Sequence, residues 1–234
     1  MSSYNLIGRH AHAALRLAAH PAAWCVLATA YVLLAKLGQG PGALIEHLGD
    51  SDDATRLISV RDLLAGAPWF DTTLPRIGAP EPLLSHWSRV IDLPLATGIV
   101  AMRPFLGVDG AELATRVIWP TILLFALTLV VTRDVQLRAG TVAAAFAVLL
   151  VVTCETALVQ FRPGRIDHHN VQILCAVAGV LLLARGLEEW RLGVLAFPLV
   201  SVWPVGWRRL RLLSPLSRSP LFSRLVIGAL RRVC

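Results

Sequence analysis

Charge is scarce in this chain: only 16% of its 234 residues are Asp, Glu, Lys or Arg, while 56% are hydrophobic. With a mean hydropathy of +0.64, that composition excludes intrinsic disorder and argues against a water-soluble domain of this size. Tyrosine is nearly absent, at 2 residues. A disulfide framework is missing as well, because Cys25, Cys154 and Cys175 lie in apolar surroundings, Cys234 is terminal, and no CxxC pair occurs. The net charge of +7 does not describe a nucleic-acid-binding face: 7 of the 22 basic residues crowd into 207–234, and most of the others flank apolar runs, as membrane orientation requires.

What the chain does have is a series of apolar segments, at 21–35, 93–102, 117–132, 139–154 with an extension to 161, and 170–184, with a weaker one at 192–207. The expected fold class is all-α: a multi-pass transmembrane helical protein of about 4–5 spans, with a large external loop containing helices. The segment 93–102 is short, carries Pro94 and precedes Pro104, so it reads as an interfacial or re-entrant helix rather than a crossing. Leaving it out puts the amino terminus inside and the basic residues Arg133, Arg138, Arg185 and Arg191 in cytoplasmic loops. The organisation expected is a basic cytoplasmic leader (1–20), a first span (21–38) and an external acidic loop with an interfacial helix (39–112). A helical bundle (113–205) with a second external loop (161–169) and a basic tail (206–234) complete it. The tail, WRRLRLLSPLSRSPLFSRLVIGALRRVC, reads either as a basic membrane-surface segment or as a stretch out of frame. Localisation in a plasma (inner) membrane is expected.

Ten of the fifteen acids fall between Gly38 and Glu112, and insertion alone does not call for acids at one membrane face. The run DSDDATRLISVRDLLAG reads as a helix capped by Asp50 or Ser51, with acids in its first turn, Leu57, Val60 and Leu64 on one face, and Gly66 with Pro68 ending it. Asp52 and Asp53 can complement the helix dipole; they can equally bind a divalent cation or act as a base, with Arg56 or Arg61 near for a phosphate. The second loop, FRPGRIDHHN, packs Arg162, Arg165, Asp167, His168 and His169 into ten residues between two spans. Its arginines can snorkel at the surface or bind phosphate oxygens, for which planar guanidinium forks are suited. As a zinc site the adjacent histidines are weak, since neighbouring side chains point apart. Facing each other, the two loops suggest carboxylates that hold Mg²⁺ or Mn²⁺ or act as base, beside arginines on a lipid-linked phosphate.

In these residues the chain resembles the catalytic subunit of oligosaccharyltransferases and, more broadly, integral-membrane glycosyltransferases of the C-fold superfamily. The likeness covers roughly 22–184 and lies in the order of parts. A first span is followed by an acidic loop with Asp-Ala-Thr-Arg and later Arg-Asp, then an aromatic and proline-containing helix around 86–105, two spans, and Gly-x-x-Asp at Gly164 to Asp167. The resemblance implies sugar transfer from a polyprenyl-phosphate-linked donor at the external face. It implies catalytic roles for Asp52, with Asp53 one register away, and Asp167; metal ligation by Asp52, Asp167 and His169; and donor-phosphate contacts from Arg162 and Arg165, to which the reading of the first loop adds Arg56 and Arg61. Membrane lipid is the other expected partner, nucleic acid is not one, and the acceptor is unreadable. The later spans and the soluble Trp-Trp-Asp domain of oligosaccharyltransferases have no counterpart here, so a truncated paralogue or non-catalytic membrane subunit is the alternative expectation. A transporter ranks lower, because the span interiors carry almost no charge and no internal repeat occurs.

Overall fold

The computed structural model describes residues 20–40, 48–78 and 80–186, and over these the chain is mostly helical. The basic leader before 20, Glu46, the weak segment 192–207 and the basic tail lie outside the described residues.

Helix α1 (Pro21–Leu37) starts where His20 Nδ1 accepts the Ala22 amide at 3.3 Å and Pro21 needs no amide partner, and it stops at Gly38. Helix α2 (Ser51–Leu64) begins in a reciprocal cap. The Asp50 carboxylate accepts the amides of Asp52 and Asp53, and Asp53 returns a bond to the Asp50 amide at 3.1 Å. It ends at Ala65, and Gly66 follows at φ +101°. A hairpin of β1 (Thr73–Leu74) and β2 (Leu83–Leu84), pairing Thr73 with Leu84, joins α2 to the next helix.

Helix α3 (Asp92–Thr153) spans 62 residues but is interrupted at Gly107 (φ +69°) and Gly140 (φ +82°). A side chain is strained at such φ, so glycine makes these turns possible, and the helix is three rods, 92–106, 108–139 and 141–153. The short α4 (Glu155–Leu158), a 3₁₀ turn (Val159–Phe161) and α5 (His169–Gly186) follow.

Contacts fix how the rods run. Cys25 of α1 meets Thr132 (Sγ to Oγ1 3.9 Å), while Val32 packs with Leu123, Leu124 and Leu127, so α1 lies antiparallel to 108–139. Arg185, in the last turn of α5, reaches Asp134 at 2.6 Å, and the Gly164 amide, just ahead of α5, bonds the Arg116 carbonyl at 2.9 Å. Together α1, 108–139, 141–153 and α5 form an up-and-down bundle of helices. Cys25, Asp134, Arg138 and Arg185 mark one end, and Arg116, Gly164 and the start of α5 mark the other.

Two packed clusters hold the pieces. Val32, Leu123, Leu124, Leu127, Leu158 and Phe161 fill the bundle. Leu57 and Val60 of α2, Leu95, Ala96 and Ile99 of 92–106, Ala111 and Ile166 fill a second cluster beyond it, and Trp119 touches both. A fully buried Leu or Val in water-exposed surroundings contributes about 1.5–3 kcal/mol, which is how this second cluster fastens α2 over the bundle end.

The segment expected as a separate interfacial helix is therefore the first rod of α3. It is sandwiched by Leu95 and Ile99 against α2, while Leu93, Val100 and Phe105, the last 84% exposed, face outward. Among the described residues two helices, Asp92–Thr153 and His169–Gly186, are long and apolar enough to cross a membrane, and the apolar stretch Ala22–Leu37 is shorter. The all-α expectation thus stands for the described residues, whereas the larger number of spans does not follow from helix length alone.

Candidate functional site

The cap of α2 and the loop before α5, 115 residues apart in the chain at Asp50 and Arg165, meet at one end of the bundle. Asp53 is fully buried. Its Oδ1 accepts the amides of Ile166 (2.6 Å) and Asp167 (2.9 Å), and its Oδ2 lies 3.0 Å from Arg165 Nη1. One carboxylate thus caps its own helix and fixes the other loop. Arg165, 6% exposed, also donates to Asp50, to the Gln160 side chain and to Asp167 at 3.1 Å. Asn170 Nδ2 bonds the Arg165 carbonyl at 3.1 Å and pins the loop's backbone. Close approach explains Gly49: a Cβ there would overlap both the Arg165 and Asp53 side chains.

The third acid of the cap behaves differently. Asp52 is half-buried, and no hydrogen bond or ion pair to its carboxylate occurs among the described residues. One ligand atom each from Asp52, Asp167 and His169 lies within 4.8 Å of the others, and Asp50, Asp53 and Asp167 form a second such set. Asp167 is common to both. It is fully buried, accepts the His169 amide at 3.0 Å, and lies 3.7 Å from His169 Nε2. Arg165 already sits against all three members of the second set, whereas the first is free of it apart from Asp167. Carboxylate oxygens with one imidazole fit a hard or borderline divalent ion, and the imidazole tilts the set toward Mn²⁺ over Mg²⁺.

Four carboxylates gather here, and Arg165 pairs with three of them. Burial pushes the Asp53 carboxyl from 3.8 to about 6, against the loop amides and Arg165, which pull it down. On Asp50, slight burial works upward but loses to the Arg165 hydrogen bond and the helix amides, so its value falls. Burial likewise opposes the charge on Arg165, yet the bond to Asp50 and the charges of Asp53 and Asp167 raise it further. Burial lowers His168, and the neighbouring His169 adds to the effect.

The two histidines do not point apart. His168 precedes α5 and His169 opens it, and their rings lie 4.4 Å apart between centroids. His168 also stacks 5.3 Å from Trp87, which packs in turn against the Arg56 guanidinium at 4.7 Å and the His86 ring at 6.1 Å. Arg56 itself is buried against Asp92 at 2.7 Å and the Ser88 carbonyl at 3.2 Å, and Ser59 and Arg89 complete that network around Asp92. Arg61 forms a bidentate pair with Glu112, both bonds 2.8 Å, and Arg162 pairs with Glu155. Of the residues expected from sequence, the fold gathers Asp52, Asp53, Arg165, Asp167 and His169 into one cluster. It does not bring Arg56, Arg61 or Arg162 there.

No known protein family, curated protein or solved structure matches this chain. Its function therefore rests on the site alone. Three contributors carried no specific expectation: Gln160, which orients Arg165; Asn170, which holds its carbonyl; and Arg116, whose carbonyl receives Gly164. Only Arg116 left a trace in the sequence, as a charge at the head of an apolar run with Trp119 three residues on.

Proposed function

We propose that this protein is a multi-pass membrane glycosyltransferase that moves a sugar from a polyprenyl-phosphate-linked donor at the external face of a plasma membrane. The observation that supports the reading best is the meeting of Asp52 with Asp167 and His169 from two distant loops, at the bundle end opposite Arg133, Arg138 and Arg185. In this reading α1, 108–139, 141–153 and α5 are spans, the amino terminus is cytoplasmic, and the basic bundle end faces the cytoplasm.

Asp52, Asp167 and His169 would hold Mn²⁺ or Mg²⁺, which when bound supplies positive charge to the donor phosphate. The chain's own groups do the rest. Asp53 and Arg165 lock the two loops at a fixed separation, so the free Asp52 carboxylate is held in place before substrate arrives. A carboxylate in the cluster can take the proton of an acceptor nucleophile as it attacks the anomeric carbon, while the C1–O bond to the donor phosphate breaks and its electron pair leaves with the polyprenyl phosphate.

Purified full-length protein, given a labelled polyprenyl-linked sugar and Mn²⁺, is expected to turn over; Asp52→Asn, which touches no structural bond, loses transfer while melting at the same temperature. Unchanged transfer by Asp52→Asn would overturn the assignment. Topology offers a separate check: single cysteines at the exposed positions Ser51 and Glu155, in a background without Cys25, Cys154, Cys175 and Cys234, both label from outside intact cells. Labelling of one without the other contradicts a shared external face.

A second reading, a non-catalytic membrane subunit, is favoured by Arg165. A guanidinium buried among Asp50, Asp53 and Asp167 is what a purely structural lock between loops requires. Absence of turnover together with stable insertion would select it.

A further inference from the structure

The arginines singled out for phosphate are all committed: Arg56 to Asp92, Arg61 to Glu112, Arg162 to Glu155, and Arg165 to the acidic cluster. Arg116 is not. It is half-buried, its Nε is shielded from solvent, and no hydrogen bond or ion pair reaches its side chain among the described residues. Glu112, one helical turn earlier on the same face, gives both carboxylate oxygens to Arg61 and leaves Arg116 without its nearest acid.

The same face carries a second orphan. Trp119, three residues on, buries its indole Nε1 with no acceptor, and Arg165 Nε, in the loop whose Gly164 amide bonds the Arg116 carbonyl, is buried with none either. A buried donor left unmade costs about 1–3 kcal/mol, and native proteins rarely leave several together. Donors without acceptors on one helix face suit an anionic oxygen. The place is fixed by the backbone: the Gly164 amide bonds the Arg116 carbonyl at 2.9 Å, so Arg116 lies beneath the loop that carries Asp167 and His169. Glu112, Arg61 and Asp53 all lie within electrostatic reach of it.

We infer that Arg116, with the Trp119 indole N–H, is the anion-binding contact of this site and takes a phosphate carried on a membrane-embedded amphiphile. The inference deepens the proposed function and rests on it for the identity of the amphiphile, though not for the anion. Arg116 stands at the head of an apolar rod, where a phosphate attached to a lipid tail arrives at its depth and a solute from water has to descend to it. A planar fork suits phosphate oxygens, and the neighbouring carboxylates repel any anion that Arg116 does not hold.

The test measures equilibrium binding of farnesyl phosphate to the full chain in phosphatidylcholine nanodiscs, with farnesol, inorganic phosphate and dioctanoyl phosphatidylglycerol as competitors. Farnesyl phosphate is expected to bind and farnesol not to compete. Arg116→Gln weakens binding by about 10- to 100-fold, the loss of a charge-assisted hydrogen bond, and Arg116→Lys recovers part of it. Trp119→Phe, which keeps the ring and removes the N–H, weakens it by roughly threefold to tenfold. Since the Gly164 bond uses the Arg116 carbonyl, Arg116→Gln is expected to melt with the wild type; a melt and a binding curve on one preparation separate misfolding from lost contact. Equal, Arg116-dependent competition by phosphatidylglycerol or inorganic phosphate upholds the anion site and removes the polyprenyl donor. Full affinity in Arg116→Gln, or no binding of any phosphate by the wild type, overturns the inference whatever the transfer assay shows.

Discussion

The two ends of the bundle solve the burial of charge in opposite ways. At one end Asp134 is shared between Arg138 at 3.0 Å and Arg185 at 2.6 Å, so a single acid is covered by two partly exposed guanidiniums. At the other, Asp50, Asp53 and Asp167 surround one buried guanidinium, Asp52 stands beside them with no partner among the described residues, and burial pushes the Asp53 carboxyl to about 6. The first end is a closed lock joining two helices. The second is locked and still holds a carboxylate, Asp52, with no partner among the described residues, and a buried Asp53 that favours its protonated form, which are the physical conditions for taking up a cation or a proton. The proposed function is placed at the second end because Asp52 is left there without a partner among the described residues, whereas at the first end Asp134 is paired through both of its carboxylate oxygens.

The sharpest way to break this comparison is Asp53→Ala. It removes the partner of two loop amides, half of the α2 cap and one contact of a buried Arg165, so a destabilisation of about 3–5 kcal/mol is expected in a thermal or denaturant melt. A change below about 1 kcal/mol would mean that Asp53 does not join the loops.

Acidity gives the next largest effect. Because the folded Asp53 value lies above its unfolded one, the stability it contributes is fully present below about pH 4 and is lost as pH rises through about 6. Asp50 has the opposite sign, but its contribution fades only as pH falls below its ordinary value of 3.8, outside that window. Metal-free protein should therefore lose on the order of 1–2 kcal/mol between these limits, a Tm fall of roughly 3–8 °C, and Asp53→Asn should flatten the curve. An equal slope in Asp53→Asn would assign the titration elsewhere.

The smallest effect belongs to the other end. Asp134→Ala removes two ion pairs with partly exposed arginines, for which about 1 kcal/mol is expected after screening, with binding and transfer untouched. A loss as large as that of Asp53→Ala would erase the distinction between a structural end and a functional one.

How much could be read in advance follows from how local each feature is. The α2 cap was legible, since Asp50 and Asp53 act on amides two or three residues away. The helical breaks were only half legible. Gly140 lies where a cytoplasmic turn was expected, but Gly107 sits past the segment read as a separate helix, because hydropathy marks apolar runs and not the one residue at which φ changes sign. Arg56 was misleading for a physical reason: on sequence it stands one turn from Asp52, yet its partner is Asp92, 36 residues away, on a rod that packs over α2 through Leu95 and Ile99. The histidine pair misled for a similar reason, as the start of α5 falls between its members and turns their rings together.

By itself the sequence determined the all-α class, the apolar rods, the cap of α2 and the residue types available for chemistry, because each depends on periodicity, composition or bonds within one turn of chain. Only the tertiary structure decided which charges are spent and which are left over. Pairing is a contest among all groups that the fold brings within a few ångströms, and its outcome commits Arg56, Arg61, Arg162 and Arg165 to acids while leaving the Asp52 carboxylate and the Arg116 guanidinium without partners among the described residues.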